Sequence, residues 1–241
     1  MNEFYKFKGQ FRIESLDKDN NIIDVYEDHN YIMMPARRTI SEMFTNTSNA
    51  GLKYLVLGTC GLTSNDVPIT EENGFNKSRT HLYSEYSNYT NSDSVYLYKH
   101  DIIRVNSKYY RYTGNDNTVS LTTSNINNLF NEIDKPYTYK LQAKTNVFDG
   151  ITNIAKNTDN SCVISYTTDT GDNLNNTTVT YTFEIGLTQG NEEDLERQMS
   201  VFNEAGMYIN NRLFCMKCFP NKVKDNSTRL KIVWKIIFWG R

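Results

Sequence analysis

Phe202-Asn-Glu-Ala-Gly-Met-Tyr-Ile209, Arg212-Leu-Phe-Cys-Met-Lys-Cys-Phe-Pro220 and Arg229-Leu-Lys-Ile-Val-Trp-Lys-Ile-Ile-Phe-Trp239 follow one another at the end of this chain. Each run is dense in β-branched and aromatic residues, the composition of a strand packed on a half-buried surface. Three such runs in succession predict a mainly β fold. Upstream, strand patterns recur at 137–146, 161–168 and 177–187, separated by Asn-, Asp- and Gly-rich stretches. Strands spaced in this way imply a β-sandwich or barrel; the reading adopted is a β-sandwich with one N-terminal helix and a β-rich insertion.

The N-terminal part supports the same class. Phe11-Arg-Ile-Glu-Ser-Leu16 and Ile22-Ile-Asp-Val-Tyr26 alternate around the turn cluster Asp17-Lys-Asp-Asn-Asn21, which predicts a hairpin within 4–32. Pro35 stands at a helix start, and Ile40, Met43 and Phe44 recur at helical spacing. Lys53-Tyr-Leu-Val-Leu-Gly58 reads as a short strand closed by a Gly58-Thr-Cys-Gly61 turn. Residues 62–94 are polar and aperiodic, and read as a long loop or arm. Residues 90–136 read as an inserted β-rich subdomain ending in a short helix at 124–132. Residues 1–89 and 137–241 form the core, and 191–200 is a helical turn or a charged loop.

Bulk properties narrow the function. Lys plus Arg is 26 and Asp plus Glu is 28, so no charge excess points to nucleic acid. Residues 1–8 lack the apolar core of a signal peptide, and no run approaches a membrane span; cytoplasmic synthesis without membrane insertion is expected. The chain has 31 asparagines against 4 prolines, a turn-rich composition that also resembles an AT-rich coding sequence.

Candidate chemistry is sparse. Cys215-Met-Lys-Cys218 is a CxxC without a second ligand pair, and His29, His81 and His100 are scattered along the chain. Residues three apart on a strand point to opposite faces, so one cysteine is expected in the core and the other outside. Asp17-x-Asp19-x-Asn21 opens like a calcium loop, but Ile22 and Asp28 stand where that loop needs Gly and Glu. Phosphate-loop, dinucleotide and nucleophile-elbow motifs are absent from the sequence. No catalytic residue, metal or cofactor is expected. The best candidate contact surface is aromatic: Tyr98, Tyr109, Tyr110 and Tyr112, read as a partner interface or, more conservatively, as cross-strand pairs.

Several segments together carry a resemblance. Asn203-Glu-Ala-Gly-Met-Tyr-Ile209 is similar to a "t-E-A-G-L-f" segment, Leu213–Phe219 to "L-f-a-r-x-x-F", and Leu230–Phe238 to "L-x-I-x-W-x-I-x-F". Tyr54-Leu-Val-Leu-Gly-Thr59 resembles "i-x-x-i-a-l-G-T-G", with Cys60 before the second glycine, and Thr80-x-Leu82-x-x-Glu85 resembles "d-T-x-L-x-x-E". In this order they resemble virion proteins of the tail, collar and baseplate of tailed bacteriophages. The Asn-rich composition is similar to that of crAss-like phages, whose tail barrels contain stacked ring proteins.

The resemblance implies a structural subunit without catalysis, located in the virion tail after assembly in the host cytoplasm. Implied partners are copies of itself in a ring-shaped homo-oligomer, and neighbouring tail, portal or fibre proteins; no nucleic-acid specificity and no membrane are implied. A receptor- or glycan-binding fibre module and a cell-wall hydrolase are the alternatives. Glu204 of the E-A-G segment reads as a solvated residue beside a turn at Gly206, or as a partner of Lys217 or Arg212.

Overall fold

The hairpin of β1 (Lys6–Leu16) and β2 (Ile22–Ile32) leads the chain into its main sheet. The Asp17 carboxylate closes the turn by accepting the amides of Asp19 and Asn21, each at 2.8 Å. This chain is described by a computed structural model over residues 6–45, 53–143, 154–156, 162–168, 176–194 and 196–239. Helix α1 (Met34–Phe44) follows, with Pro35 in its first turn and Ala36 and Thr39 buried. β3 (Lys53–Gly58) then enters the sheet.

After a cover and a small subdomain, the chain returns through β10 (Thr138–Ala143), β11 (Ile154–Lys156), β12 (Cys162–Thr168), β13 (Asn176–Ile185), β14 (Ser200–Ile209), β15 (Arg212–Lys224) and β16 (Arg229–Trp239). These join one ten-stranded sheet in the order β10-β3-β14-β15-β2-β1-β16-β13-β12-β11. The fold is mainly β, as the sequence predicts.

The sheet folds over on itself at a weak joint. β15 and β2 pair only at Cys215–Ile32 and Met216–Tyr31, whereas β1 pairs with β16 along its whole length. The two halves therefore face each other. Phe11 on β1 stacks on Phe219 of β15 at 5.3 Å and meets Trp234 of β16 edge-on at 4.8 Å. Phe183, Phe202, Met207 and Ile232 complete the core between them. Burying each large apolar side chain contributes about 1.5–3 kcal/mol relative to exposure.

The half containing β14 and β15 is covered on its other face as well. Residues 60–83 pack there through Ile69, Phe75, Leu82 and Tyr83 against Tyr208, Leu213, Met216 and Cys218. The expected loop or arm at 62–94 is thus, up to residue 83, a packed layer. Its apolar residues are single and irregularly spaced, so no strand or helix period reveals them. Its backbone is held by local side-chain bonds: Thr70 N to Asn73 Oδ1 at 2.7 Å, and Ser78 N to Asn76 Oδ1 at 2.8 Å.

A smaller unit follows: β4 (Tyr86–Tyr89), β5 (Ser94–Leu97), β6 (Ile102–Val105), β7 (Lys108–Tyr112), β8 (Asn117–Ser120), α2 (Thr123–Leu129) and β9 (Phe130–Ile133). The sheet β4-β6-β7-β9 and the pair β5-β8 enclose a core of Leu97, Ile103, Val105, Val119, Leu121 and Phe130. β4 pairs with β6, so this unit takes residues from both sides of the expected boundary at 90. The helix expected at 124–132 ends at Leu129. Thr122 caps it, accepting the Asn125 amide at 3.2 Å, and Phe130 turns extended to pair with Tyr112. Among the described residues, no helix is long and apolar enough to cross a membrane.

Candidate functional site

Glu204 stands in the middle of β14, fully buried, with both neighbouring strands in register at Gly58 and Cys218. Its carboxylate accepts the Tyr83 amide at 2.9 Å and the Cys60 amide at 3.3 Å. Next to it, Asn203 Oδ1 accepts the Gly61 amide at 2.7 Å. One turn of the cover away, Glu85 Oε2 accepts the Leu82 amide at 3.0 Å and the Tyr208 hydroxyl at 2.7 Å. The G-T-C-G, T-x-L-x-x-E and E-A-G segments, far apart in sequence, therefore meet in one buried knot that pins the cover to the sheet.

Both expectations for Glu204 are overturned. It is neither solvated nor paired with a nearby cation: Lys217 reaches Asp28 at 2.6 Å, and Arg212 reaches Glu42. β14 continues straight through the E-A-G segment, so no turn exists there. Burial raises the Glu204 pKa, opposed by the Ser84 hydroxyl and the two amides. Two glycines are required by close approach. A Cβ on Gly206 would lie 2.6 Å from Leu82 Cδ2, and one on Gly58 would lie 2.4 Å from Glu204 Oε1.

A second buried charge pair lies beside the knot. The Arg79 guanidinium donates through Nη1 to Asp101 Oδ1 at 2.6 Å and stacks over the Tyr83 ring at 3.6 Å. His81 Nε2 lies 3.5 Å from the same carboxylate, and His100 Nε2 lies 3.1 Å from the Asn73 carbonyl. Burial lowers the His100 pKa, so the ring is neutral at physiological pH. The fold thus brings His81 to Asp101 from 20 residues away, while His100, next to Asp101 in the chain, turns its ring to Asn73, and His29 lies apart on β2. The group ties the cover to the β6–β7 hairpin.

The other candidates fall elsewhere. Cys215 and Cys218 do point to opposite faces, but both are buried, Cys215 in the sandwich core and Cys218 under the cover. The expectation of one cysteine outside fails because β15 is covered on both sides. The run Leu213–Phe219, apolar except for Lys217, carries that signal, since a strand buried on both faces loses its alternation.

The four tyrosines do not share one patch. Tyr112 is buried against Phe130 at 5.1 Å, with its hydroxyl donated to the Asn115 carbonyl at 2.7 Å. Tyr109 and Tyr110 alternate across β7, Tyr109 meeting Tyr86 edge-on at 4.9 Å and Tyr110 packing on the small core. Tyr98 meets Tyr96 edge-on at 5.3 Å.

No family model, curated protein or solved structure matches this chain.

β2 is the unusual element of the surface. Its pairing with β1 sets Asp24 opposite Ser15, Tyr26 opposite Ile13, Asp28 opposite Phe11 and Asn30 opposite Gly9, so these residues face inward. Ile23 and Val25 face outward and are 61% and 39% exposed; Ile22, at the turn, is 54% exposed. The core-side positions carry carboxylates, yet the Asp24 and Asp28 side chains stay 57% and 46% exposed, while the opposite face carries Ile23 and Val25 beside Glu27. Lys222 and Lys217, both buried on β15, reach across to Asp24 and Asp28. Over residues 22–30 the edge of β2 away from β1 pairs with no strand among the described residues. β15 lies along that edge and bridges it through the two lysines, so what β2 leaves to another chain is its row of exposed aliphatic side chains.

Proposed function

We propose that this chain is a structural virion protein, a ring-forming subunit of a tailed-bacteriophage tail, collar or baseplate, without catalytic activity. The observation that carries this reading is the start of β2, where Ile22, Ile23 and Val25 are exposed beside an edge that backbone hydrogen bonds to other described strands leave unpaired over residues 22–30. Ring closure covers such an edge by symmetry. The segment resemblance supports the same reading, because its motifs build the interior knot at Glu204 and not an open site. Placement among tail ring proteins of crAss-like phages is the narrower form of this proposal.

Purified full-length chain is expected to form higher oligomers by native mass spectrometry and light scattering. Ile23→Lys with Val25→Lys is expected to dissociate them without lowering the melting temperature. A chain that is monomeric at all concentrations, and absent from purified particles, overturns the proposal.

A second reading, glycan binding by a fibre module, draws on the Tyr96–Tyr98 ring pair, because Tyr96 is 57% exposed. Loss of binding on a glycan array in Tyr96→Ala supports it; an array that is blank for the wild type eliminates it.

A further inference from the structure

A cleft of about 650 Å³ opens between the start of β1, the end of β2 and α1. Lys8, His29, Arg37 and Lys77 line it, over a floor that includes Met33 and Ile40, and no Asp or Glu is among its lining residues. Lys77 is paired with Glu71 outside the cleft. Lys8 and Arg37 make no ion pair with any described residue, and Asp28, the nearest acid on β2, is turned to Lys217. Two cations without an acidic partner among the described residues, in a concave and partly apolar site, favour an acidic occupant.

The same chain carries an acidic projection. Glu192, Glu193 and Glu196 are exposed in the loop before β14, with Asp194 half-buried among them and Arg197 the one cation at its tip. This loop is held as a unit: Glu193 Oε2 accepts the Val201 amide at 3.0 Å, and Lys224 Nζ donates to Asn191 Oδ1 at 2.7 Å and to the Leu187 carbonyl at 3.1 Å. It sits at the Ser200 end of the β14–β15 pair. The cleft sits toward the other end, where the Met33 amide donates to the Phe214 carbonyl at 2.9 Å. Seven strand residues, about 23 Å, separate the two levels, so the loop of one chain cannot fill its own cleft.

We propose that the cleft receives the 192–196 acidic loop of a second copy of this chain. Each copy then presents one donor and one acceptor surface at opposite ends, the head-to-tail arrangement that generates rings or filaments. The cleft is continuous with the end of β2, so the charged contact and the exposed Ile23–Val25 surface lie on the same side of the assembly. This inference rests on the ring-forming reading and adds the contact that would close it.

Charge exchange in the full-length chain tests it by sedimentation equilibrium. Lys8→Glu with Arg37→Glu is expected to weaken association about ten-fold, more at low salt than at high. Glu193→Lys with Glu196→Lys is expected to do the same, and the four changes combined are expected to restore association. Arg37, Glu193 and Glu196 are exposed and Lys8 is half-buried, and because Glu193 also accepts the Val201 amide, Glu196→Lys alone is measured beside the pair, with unchanged melting temperatures verifying folding. A wild type that never associates overturns both this contact and the ring-forming reading. Association that persists through both reversals, but fails with Ile23→Lys and Val25→Lys, overturns this contact alone. Persistent association with loss of inorganic phosphate binding in Lys8→Glu with Arg37→Glu assigns the cleft to a small anion, and also overturns it.

Discussion

Lys217 Nζ lies 2.6 Å from Asp28 Oδ2, across the seam where β15 and β2 share only two residue pairs of register. Lys222 and Asp24 repeat the contact further along the same seam. Side chains thus close a joint that backbone hydrogen bonds leave open. The partners are unequal: the Lys217 side chain is buried and that of Asp28 is 46% exposed.

Truncation is therefore expected to be asymmetric. Asp28→Ala strands a buried ammonium and should cost about 1–2 kcal/mol, the lower range reflecting solvent access to the carboxylate. Lys217→Met leaves a carboxylate that water can reach and fills the same space, and should cost under about 1 kcal/mol. Urea unfolding of the two variants distinguishes these outcomes; equal losses would contradict the asymmetry.

Both seam carboxylates titrate below the ordinary range. For Asp24 the cause is the Lys222 hydrogen bond; for Asp28 partial burial opposes the shift, and the Lys217 hydrogen bond overrides it. A depressed carboxylate binds fewer protons in the folded than in the unfolded chain near pH 4. Its stabilisation is present above that pH and is lost as pH falls through the folded pKa. The acid limb of the stability–pH curve should flatten in Asp24→Asn with Asp28→Asn, read from urea midpoints between pH 2 and 6.

Glu204 predicts the opposite slope. Its pKa is raised by burial, so it holds a proton in the folded chain where the unfolded chain has lost it. Its contribution is full below about pH 4 and falls as pH rises through the folded pKa. Glu204→Gln keeps only one acceptor oxygen for the Tyr83 and Cys60 amides and so starts less stable than wild type, but its stability relative to wild type should rise from pH 4 to pH 7. Glu204→Ala leaves two buried amides unpaired and opens a void, costing about 2–5 kcal/mol near pH 4 and less as pH rises. Parallel pH-dependent unfolding of the three proteins decides this.

Gly206→Ala is expected to destabilise by about 1–3 kcal/mol through overpacking, since its Cβ would meet Leu82 Cδ2 at 2.6 Å and Leu213 Cδ1 at 2.8 Å. Leu82→Ala opens that space. The double variant should show a coupling energy of about 1 kcal/mol or more, against simple addition. Additive losses in a thermal-unfolding cycle would place the strain elsewhere.

Burial raises all three described thiols, Cys60 to about 11 and Cys215 and Cys218 well above the ordinary thiol range. Iodoacetamide at pH 8 should leave these three unmodified in the native protein and label them after unfolding. A chelator should leave labelling of Cys215 and Cys218 unchanged. Native labelling, or labelling that appears only with chelator, would contradict their placement on two separate covered faces.

The strands that pack one face against the sandwich core were legible from local pattern. Phe11–Leu16 and Leu230–Phe238 alternate, and β1 and β16 do pair along their length. Pro35 and the Ile40–Met43 spacing located α1. The cover was not legible, because Ile69, Phe75, Leu82 and Tyr83 obey no period and are gathered by turns. Nor was the knot. The amides that meet Glu204 come from 144 and 121 residues away, and nothing around Asn203-Glu-Ala-Gly206 marks it as an acceptor for them. Arg79 and Asp101, 22 residues apart, were equally silent.

The sequence by itself determined the fold class, the hairpin turn and the first helix, because these depend on residues close along the chain: a period, a proline, an Asp-Asn turn. Tertiary structure decided which faces are covered. It set Asp24 and Asp28 of β2 on the core side within reach of buried lysines, and Ile23 and Val25 on the other face, because inward and outward on a strand have meaning only once a second layer occupies one side. Buried Lys217 and Lys222 reverse the hydrophobic preference of that strand, and they belong to β15, some 190 residues later along the chain.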